Sequence, residues 1–320
     1  MKYGDFPGLN RQASRIFLGT ASAPFSTGEE CGELLEQMLL LGVNALDTAR
    51  VYGGSEGSLG RWLVQGQNRE RVILLSKCGH PTPDGRKRVH AKEMREDLET
   101  SLEQLKTDKI DIYLLHRDDP EVSVGEILET FNAMKEEGRI SVFGGSNWTC
   151  ERIREANDYA AAHGLEGFSV TSPQYGLARQ VADPYGGNCV SLGGAEHRED
   201  RAFIRDSGLA VVSYSSLGRG MMSGRFRSDD PDGAAKVMDI FGREGFAWPE
   251  NFERLRRCEI LAEQKHAAVS QIALSWMFHQ NLNLFAVISS SNPSRMRQNA
   301  EALEISLTEK ECAWLDLQTD

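Results

Sequence analysis

Several apolar runs in this 320-residue chain end on a residue that can hydrogen-bond or ionise. Asn44–Ala49 carries Asp47, Val72–Cys78 carries Lys77, and Ile110–His116 closes on a histidine. Ile140–Ser146 is followed by Asn147, Phe168–Gln174 ends on an amide, and Leu209–Ser215 carries Tyr214. Phe285–Ser290 runs into Ser289, Ser290 and Ser291. A single polar strand end often marks only the start of a loop. A whole series of them implies a pocket in which acids, bases and hydrogen-bond donors converge.

Several enzyme classes can be tested against the same residues. No G-x-G-x-x-G occurs, so a Rossmann dinucleotide turn is missing, and no tyrosine has a lysine four residues later. No H-E-x-x-H or Cys/His cluster calls for a metal. Gly53-Gly54-Ser55-Glu56-Gly57 does match G-x-S-x-G, which makes a serine hydrolase using Ser55 a distant alternative. That motif needs its serine on a sharp turn directly after a strand. Here Arg50-Val51-Tyr52 intervene.

The elements that must position these groups follow from periodicity. Arg15–Ala21 precedes the seven runs above, giving eight short stretches that are apolar on both faces, as strands covered on both sides are. Between them lie helical spacings such as Met94, Leu98, Leu102 and Leu105, or Ile127, Leu128, Phe131 and Met134. Gly42, Gly138 and Gly164 follow such stretches where a helix end favours positive φ. Two longer connections follow the sixth and seventh strands, Tyr175–Gly208 and Leu217–Leu284, the second with helix patterns at Phe252–Lys265 and Val269–Gln280. An open doubly wound sheet is the rival architecture. Eight β/α units without a linker favour an α/β fold of one (β/α)8 TIM barrel over residues 1–320.

Composition narrows the partners. There are 36 Lys+Arg against 47 Asp+Glu, a net charge of −11, which opposes nucleic-acid binding. No stretch approaches the ~18 apolar residues of a membrane span. The first residues, MKYGDFPGLNRQASR, show no signal-peptide core, and the six cysteines form no C-x-x-C pair. A cytoplasmic protein with reduced thiols is expected. Nothing in the sequence sets its oligomeric state.

LDTARVYGGSEGSLG, ILLSKCG, IDIYLLHRDDP, VFGGSNW, TSPQYGL and VVSYSSLG, in this order, resemble the successive strand-end segments of the aldo-keto reductase superfamily. The resemblance covers essentially the whole chain. It implies an N-terminal β-hairpin at Tyr3–Arg11 that plugs the barrel bottom, and a catalytic tetrad of Asp47, Tyr52, Lys77 and His116. Tyr52 would protonate a carbonyl oxygen as hydride reaches its carbon, and an ammonium nearby lowers a phenol pKa from ~10. Asp47 would hold Lys77, and His116 would orient the substrate.

The resemblance further implies NADPH, with NADH as the alternative. Tyr214 would stack on the nicotinamide, with Ser146, Asn147 and Gln174 at its carboxamide. Gly19, Thr20 and the loop Ser215–Gly220, including Leu217 and Gly218, would complete that side, with Ser216 in place of a more usual proline. Ser289, Ser290, Ser291 and Arg295 fall where relatives grip the 2′-phosphate, Ser289 standing where lysine is frequent, with Gln298 and Asn299 at the adenine. Arg295 and Arg219 would focus positive charge. Phe25, Arg117 and Trp148 would wall a pocket for a small, polar or hydroxylated carbonyl substrate, Arg117 standing where tryptophan is frequent. Some members of the superfamily are instead channel-associated or sensor subunits that hold the nucleotide, and that is the non-catalytic alternative.

Overall fold

A computed structural model describes residues 1–187 and 189–319. Eight parallel strands close into a barrel: β3 (Ile16–Gly19), β4 (Ala45–Asp47), β5 (Ile73–Cys78), β6 (Ile110–Leu115), β7 (Ile140–Ser146), β8 (Val170–Ser172), β9 (Ala210–Ser213) and β10 (Asn283–Ile288). Neighbours follow chain order, and β10 closes the ring on β3 with Ala286 opposite Ile16. Each of the eight expected strands is present. Most are shorter at the C-terminal end, where the backbone peels away into the loops that carry the polar residues.

A hairpin forms as expected but extends past Arg11, with β1 (Tyr3–Gly4) paired antiparallel to β2 (Ala13–Ser14). Its loop drives Phe6 into the bottom of the barrel, where the ring meets Phe285 at 5.2 Å and Phe17 at 6.5 Å. Offset and tilted aromatic contacts of this kind stabilise beyond the area they bury. Among the described residues, no helix is long and apolar enough to cross a membrane.

Side chains alternate across a strand, and this alternation builds the site. The barrel interior is filled by Phe17, Ala45, Ile73, Leu75, Ile112, Leu114, Val142, Val170, Ala210, Val212 and Phe285. Stepping by two along each strand from these residues reaches Gly19, Asp47, Lys77, His116, Ser146, Gln174, Tyr214 and Ser289. The inward row is therefore apolar for one or two layers and turns polar at the C-terminal mouth. Residues of the opposite parity, such as Leu74, Tyr113, Phe143 and Val211, pack outward under the helices.

Gly144 lies on that inward row between Val142 and Ser146. A methyl group there would sit 1.8 Å from the carbonyl oxygen of Val170 on the neighbouring strand. Backbone cannot swing aside as a flexible side chain does. Gly144→Ala is expected to destabilise the barrel by about 3 kcal/mol, the upper range for overpacking. Urea unfolding checks this, and a change below about 0.5 kcal/mol, typical of a neutral surface substitution, would contradict it.

Candidate active site

Asp47, Lys77 and Tyr52 meet at one end of the barrel. Lys77 Nζ donates to Asp47 Oδ1 at 2.5 Å, to the Thr48 carbonyl at 2.9 Å and to the Tyr52 hydroxyl at 3.4 Å. Asp47 and Lys77 are 4% and 3% exposed, so the ion pair is sealed from water. Burial opposes the Lys77 charge, but Asp47 and Tyr52 outweigh it and raise the pKa, holding the side chain as an ammonium. Burial pushes Asp47 upward against the pull of Lys77.

Tyr52 is brought in by a turn. Its N–H donates to the Ala49 carbonyl at 3.0 Å, and Gly54 N donates to the Ser26 carbonyl at 2.9 Å. Gly53 takes φ +59°, and a Cβ there would lie 2.6 Å from the Ser26 carbonyl oxygen, so glycine is required on both counts. The Tyr52 pKa differs from the sequence expectation. Lys77 does pull it down, but burial pushes harder and the net shift is upward.

His116 stands edge-on to Tyr52, with ring centroids 5.7 Å apart. Its buried Nδ1 has no hydrogen-bond partner among the described residues. Burial, reinforced by Lys77, Arg117 and His80, holds its pKa well below the ordinary imidazole value. The ring is therefore neutral near pH 7 and offers one donor and one acceptor.

His80 also stands edge-on to His116, with centroids 4.9 Å apart and Nδ1 at 2.9 Å from the Pro81 carbonyl. His80 lies two residues past the end of the Val72–Cys78 run, where strand spacing no longer singles out a residue. The signal was the Gly79-His80-Pro81 step, three residues beyond Lys77.

A second set of groups lies beside the first. The Asn147 side-chain oxygen accepts from the Tyr214 hydroxyl at 2.8 Å, and its amide nitrogen donates to Ser146 Oγ at 3.2 Å. Asn147 takes φ +59°, an uncommon conformation for a side-chain-bearing residue, and it turns the chain away at the strand end. Gln174 is fully buried, accepting from Ser191 Oγ at 2.7 Å. Thr20 is buried and donates from Oγ1 to the Asp47 carbonyl at 2.9 Å, which makes it a brace for the acid.

After β9 the loop is wound by positive φ at Ser215 (50°), Gly218 (57°), Arg219 (50°) and Gly220 (97°), while Leu217 is partly buried in it. Left-handed residues in such a turn can aim successive N–H groups at one anion. After β10, Ser289, Ser291, Arg295 and Gln298 are exposed, Ser290 is half-buried, and Asn299 is 6% exposed. Asn292 caps the following helix, Pro293–Glu301, by accepting from Ser294 N and Arg295 N. Gly19 lets these two ends meet, since a Cβ there would lie 2.8 Å from Ser289 Oγ.

Several of the expected residues are already engaged within the fold. Phe25 is 2% exposed and packs into the layer between barrel and helices. Trp148 is 1% exposed and lies T-shaped on Phe168 at 4.9 Å, in that same layer. Both rings find apolar partners behind the strands. Arg219 is engaged by Asp239, at 2.5 and 3.1 Å, so its charge is already countered. Ser55 is fully buried as the first residue of the helix Ser55–Leu63 and donates to the Thr20 carbonyl at 2.6 Å. A hydroxyl so placed is no exposed nucleophile.

Comparison with known proteins gives a consistent picture. The family pattern described as aldo/keto reductase matches residues 15–317. The chain is 27% identical over 96% of its length to an uncharacterized oxidoreductase, YrpG, of Bacillus subtilis, covering 92% of that protein. It is 28% identical over 97% of its length to norsolorinic acid reductase A of Aspergillus parasiticus, covering 79% of it. It is 25% identical over 86% of its length to a putative voltage-gated potassium channel subunit beta of Schizosaccharomyces pombe, covering 79% of it.

Proposed function

This chain belongs to the aldo/keto reductase family, which generally uses NAD(P)H, and from that premise we propose that it reduces an aldehyde or ketone to an alcohol with NADPH. The observation that carries the proposal is the sealed Lys77 ammonium joining Asp47 to Tyr52, beside an imidazole whose Nδ1 is unpartnered. Bound reduced nicotinamide supplies the hydride, two electrons and a hydrogen nucleus, to the carbonyl carbon. The residues handle everything else. Tyr52 donates its hydroxyl proton to the carbonyl oxygen, Lys77 stabilises the phenolate left behind, and solvent returns the proton. Asp47 keeps Lys77 charged and fixed. Neutral His116 donates a hydrogen bond to the carbonyl oxygen and so sets its approach.

The second set of groups fits the nucleotide. The half-buried Tyr214 ring offers a stacking face, with Ser146, Asn147 and Gln174 as polar neighbours for the carboxamide. The left-handed turn Ser215–Gly220, with Leu217 and Gly218, suits the pyrophosphate. Ser289, Ser290, Ser291 and exposed Arg295 suit the 2′-phosphate, and Gln298 with Asn299 the adenine. Arg295 is the ground for preferring NADPH, because a guanidinium forks onto phosphate oxygens.

Fluorescence titration tests the nucleotide. Arg295→Gln is expected to weaken NADPH at least tenfold, the loss of a charge-assisted bond worth ~1.5–3 kcal/mol, and to leave NADH almost unaffected. Equal effects on both nucleotides would remove Arg295 from the 2′-phosphate site. A carbonyl panel with the preferred nucleotide then tests the reaction. The likeness to a protein described as a channel beta subunit supports one competing reading, a subunit that holds nucleotide without turning over. Tight retention of NADP+ with no reduction of any carbonyl would favour it.

A further inference from the structure

Arg117 follows His116 directly, half-buried at the mouth of the barrel. The two acids beside it are taken by other cations. Asp118 pairs with Arg152 at 3.2 Å, and Asp119 with Lys87 at 2.6 Å. Among the described residues, Arg117 has no carboxylate partner, and its recorded bond is from Nη1 to the His116 carbonyl at 3.2 Å. Its charge reaches Tyr52, His80, His116 and Tyr214: it adds to the burial that lowers the two imidazoles, and pulls against the burial that raises the two phenols. A guanidinium drawn partly out of water costs free energy unless an anion meets it. Among other half-buried arginines, Arg88 and Arg219 have such a partner in Asp97 and Asp239, while Arg15 and Arg201 are each met by two oxygen acceptors, against the single one recorded for Arg117.

We infer that Arg117 binds an anionic group on the substrate itself, so that the preferred substrates are short oxo acids or related carbonyl anions rather than neutral carbonyls. The inference rests on the reductase reading above. The nicotinamide ring against Tyr214 carries no anion, so an anion at Arg117 belongs to the substrate. Arg117 adjoins His116 in the chain and its guanidinium folds back onto the His116 main-chain carbonyl at 3.2 Å, which keeps it beside the histidine and favours an anion carried on a short substrate. Five N–H donors in a planar fork suit either a carboxylate or a phosphate.

Two matched pairs of probes test this with the intact enzyme and NADPH: 4-oxobutanoate against its methyl ester, and glyceraldehyde 3-phosphate against glyceraldehyde. At low ionic strength the anion of at least one pair is expected to show a kcat/KM at least tenfold above its neutral partner. The pair showing the preference identifies the anion as carboxylate or phosphate. In Arg117→Gln the anion-to-neutral ratio is expected to fall at least tenfold, mainly through KM, with partial recovery in Arg117→Lys. No preference in either pair overturns the inference, and so does a ratio unchanged in Arg117→Gln. The wild-type ratios decide the matter even if a variant fails to fold. If the wild-type enzyme reduces no carbonyl with either nucleotide, the reductase reading falls and this inference falls with it.

Discussion

Tyr52→Phe is expected to lower kcat/KM for carbonyl reduction by about 10²–10⁴-fold, the usual contribution of a positioned proton donor, while NADPH still binds. The substitution removes one oxygen and keeps the ring. Lys77 loses its 3.4 Å partner but retains Asp47 at 2.5 Å and Thr48 at 2.9 Å, so the ion pair stays in place. The structure also gives a pH signature. Burial raises the Tyr52 pKa above its ordinary value despite the pull of Lys77, so the phenol stays protonated through the neutral range. Reduction needs that protonated form, and its rate should decline only on the alkaline side. Stopped-flow reduction across pH, with nucleotide titration of the variant, checks both statements. Near-normal turnover in Tyr52→Phe would remove it from the reaction, whereas intact binding with lost turnover supports its assignment.

The second large effect concerns Asp47. Asp47→Asn leaves the Lys77 ammonium 3% exposed, with only neutral oxygens around it. Removing one member of a buried pair typically costs about 3–5 kcal/mol, because the remaining charge is uncompensated. Chemical unfolding should show that loss. Turnover should fall as well, since a lysine without its counter-charge holds its proton less firmly and stabilises the phenolate less. The double variant Asp47→Asn/Lys77→Met separates the two effects. It removes the stranded charge and should recover part of the stability, with no recovery of turnover. Additive stability losses in the double variant would show that the pair does not act as a unit.

Much of this site is legible in the chain because a strand has a period of two. Once Ile73 and Leu75 face the barrel interior, Lys77 must follow, and Ile112 and Leu114 carry His116 to the mouth in the same way. Repeated around eight strands, that rule turns local patterns into a ring of polar groups before any long-range contact is known. Glycine is harder to read. The helix Ser55–Leu63 contains Gly57 and Gly60, which weaken its helical signal, and its reason lies elsewhere in the fold. A Cβ on Gly60 would lie 2.1 Å from the Gln104 carbonyl oxygen, so the residue is there to let two segments meet.

Side-chain direction outside the strands was likewise undetermined by spacing. Phe25 and Trp148 sit near strand ends, yet turn back into the layer under the helices because apolar area is available there. His80 turns the other way and joins His116.

The sequence by itself determined the eight strands and the polar residues Asp47, Lys77 and His116 at their ends, because a short run apolar on both faces that ends on a polar group is a local property of the chain, while the N-terminal hairpin followed only from the family resemblance. Only the tertiary structure decided how far Tyr52 is buried, which charges find partners and which are left alone. Those outcomes depend on what lies across the mouth from each group. Arg117 shows the difference: in the sequence it is one charge in a charged run, and in the fold it is the guanidinium whose two acidic neighbours are already engaged.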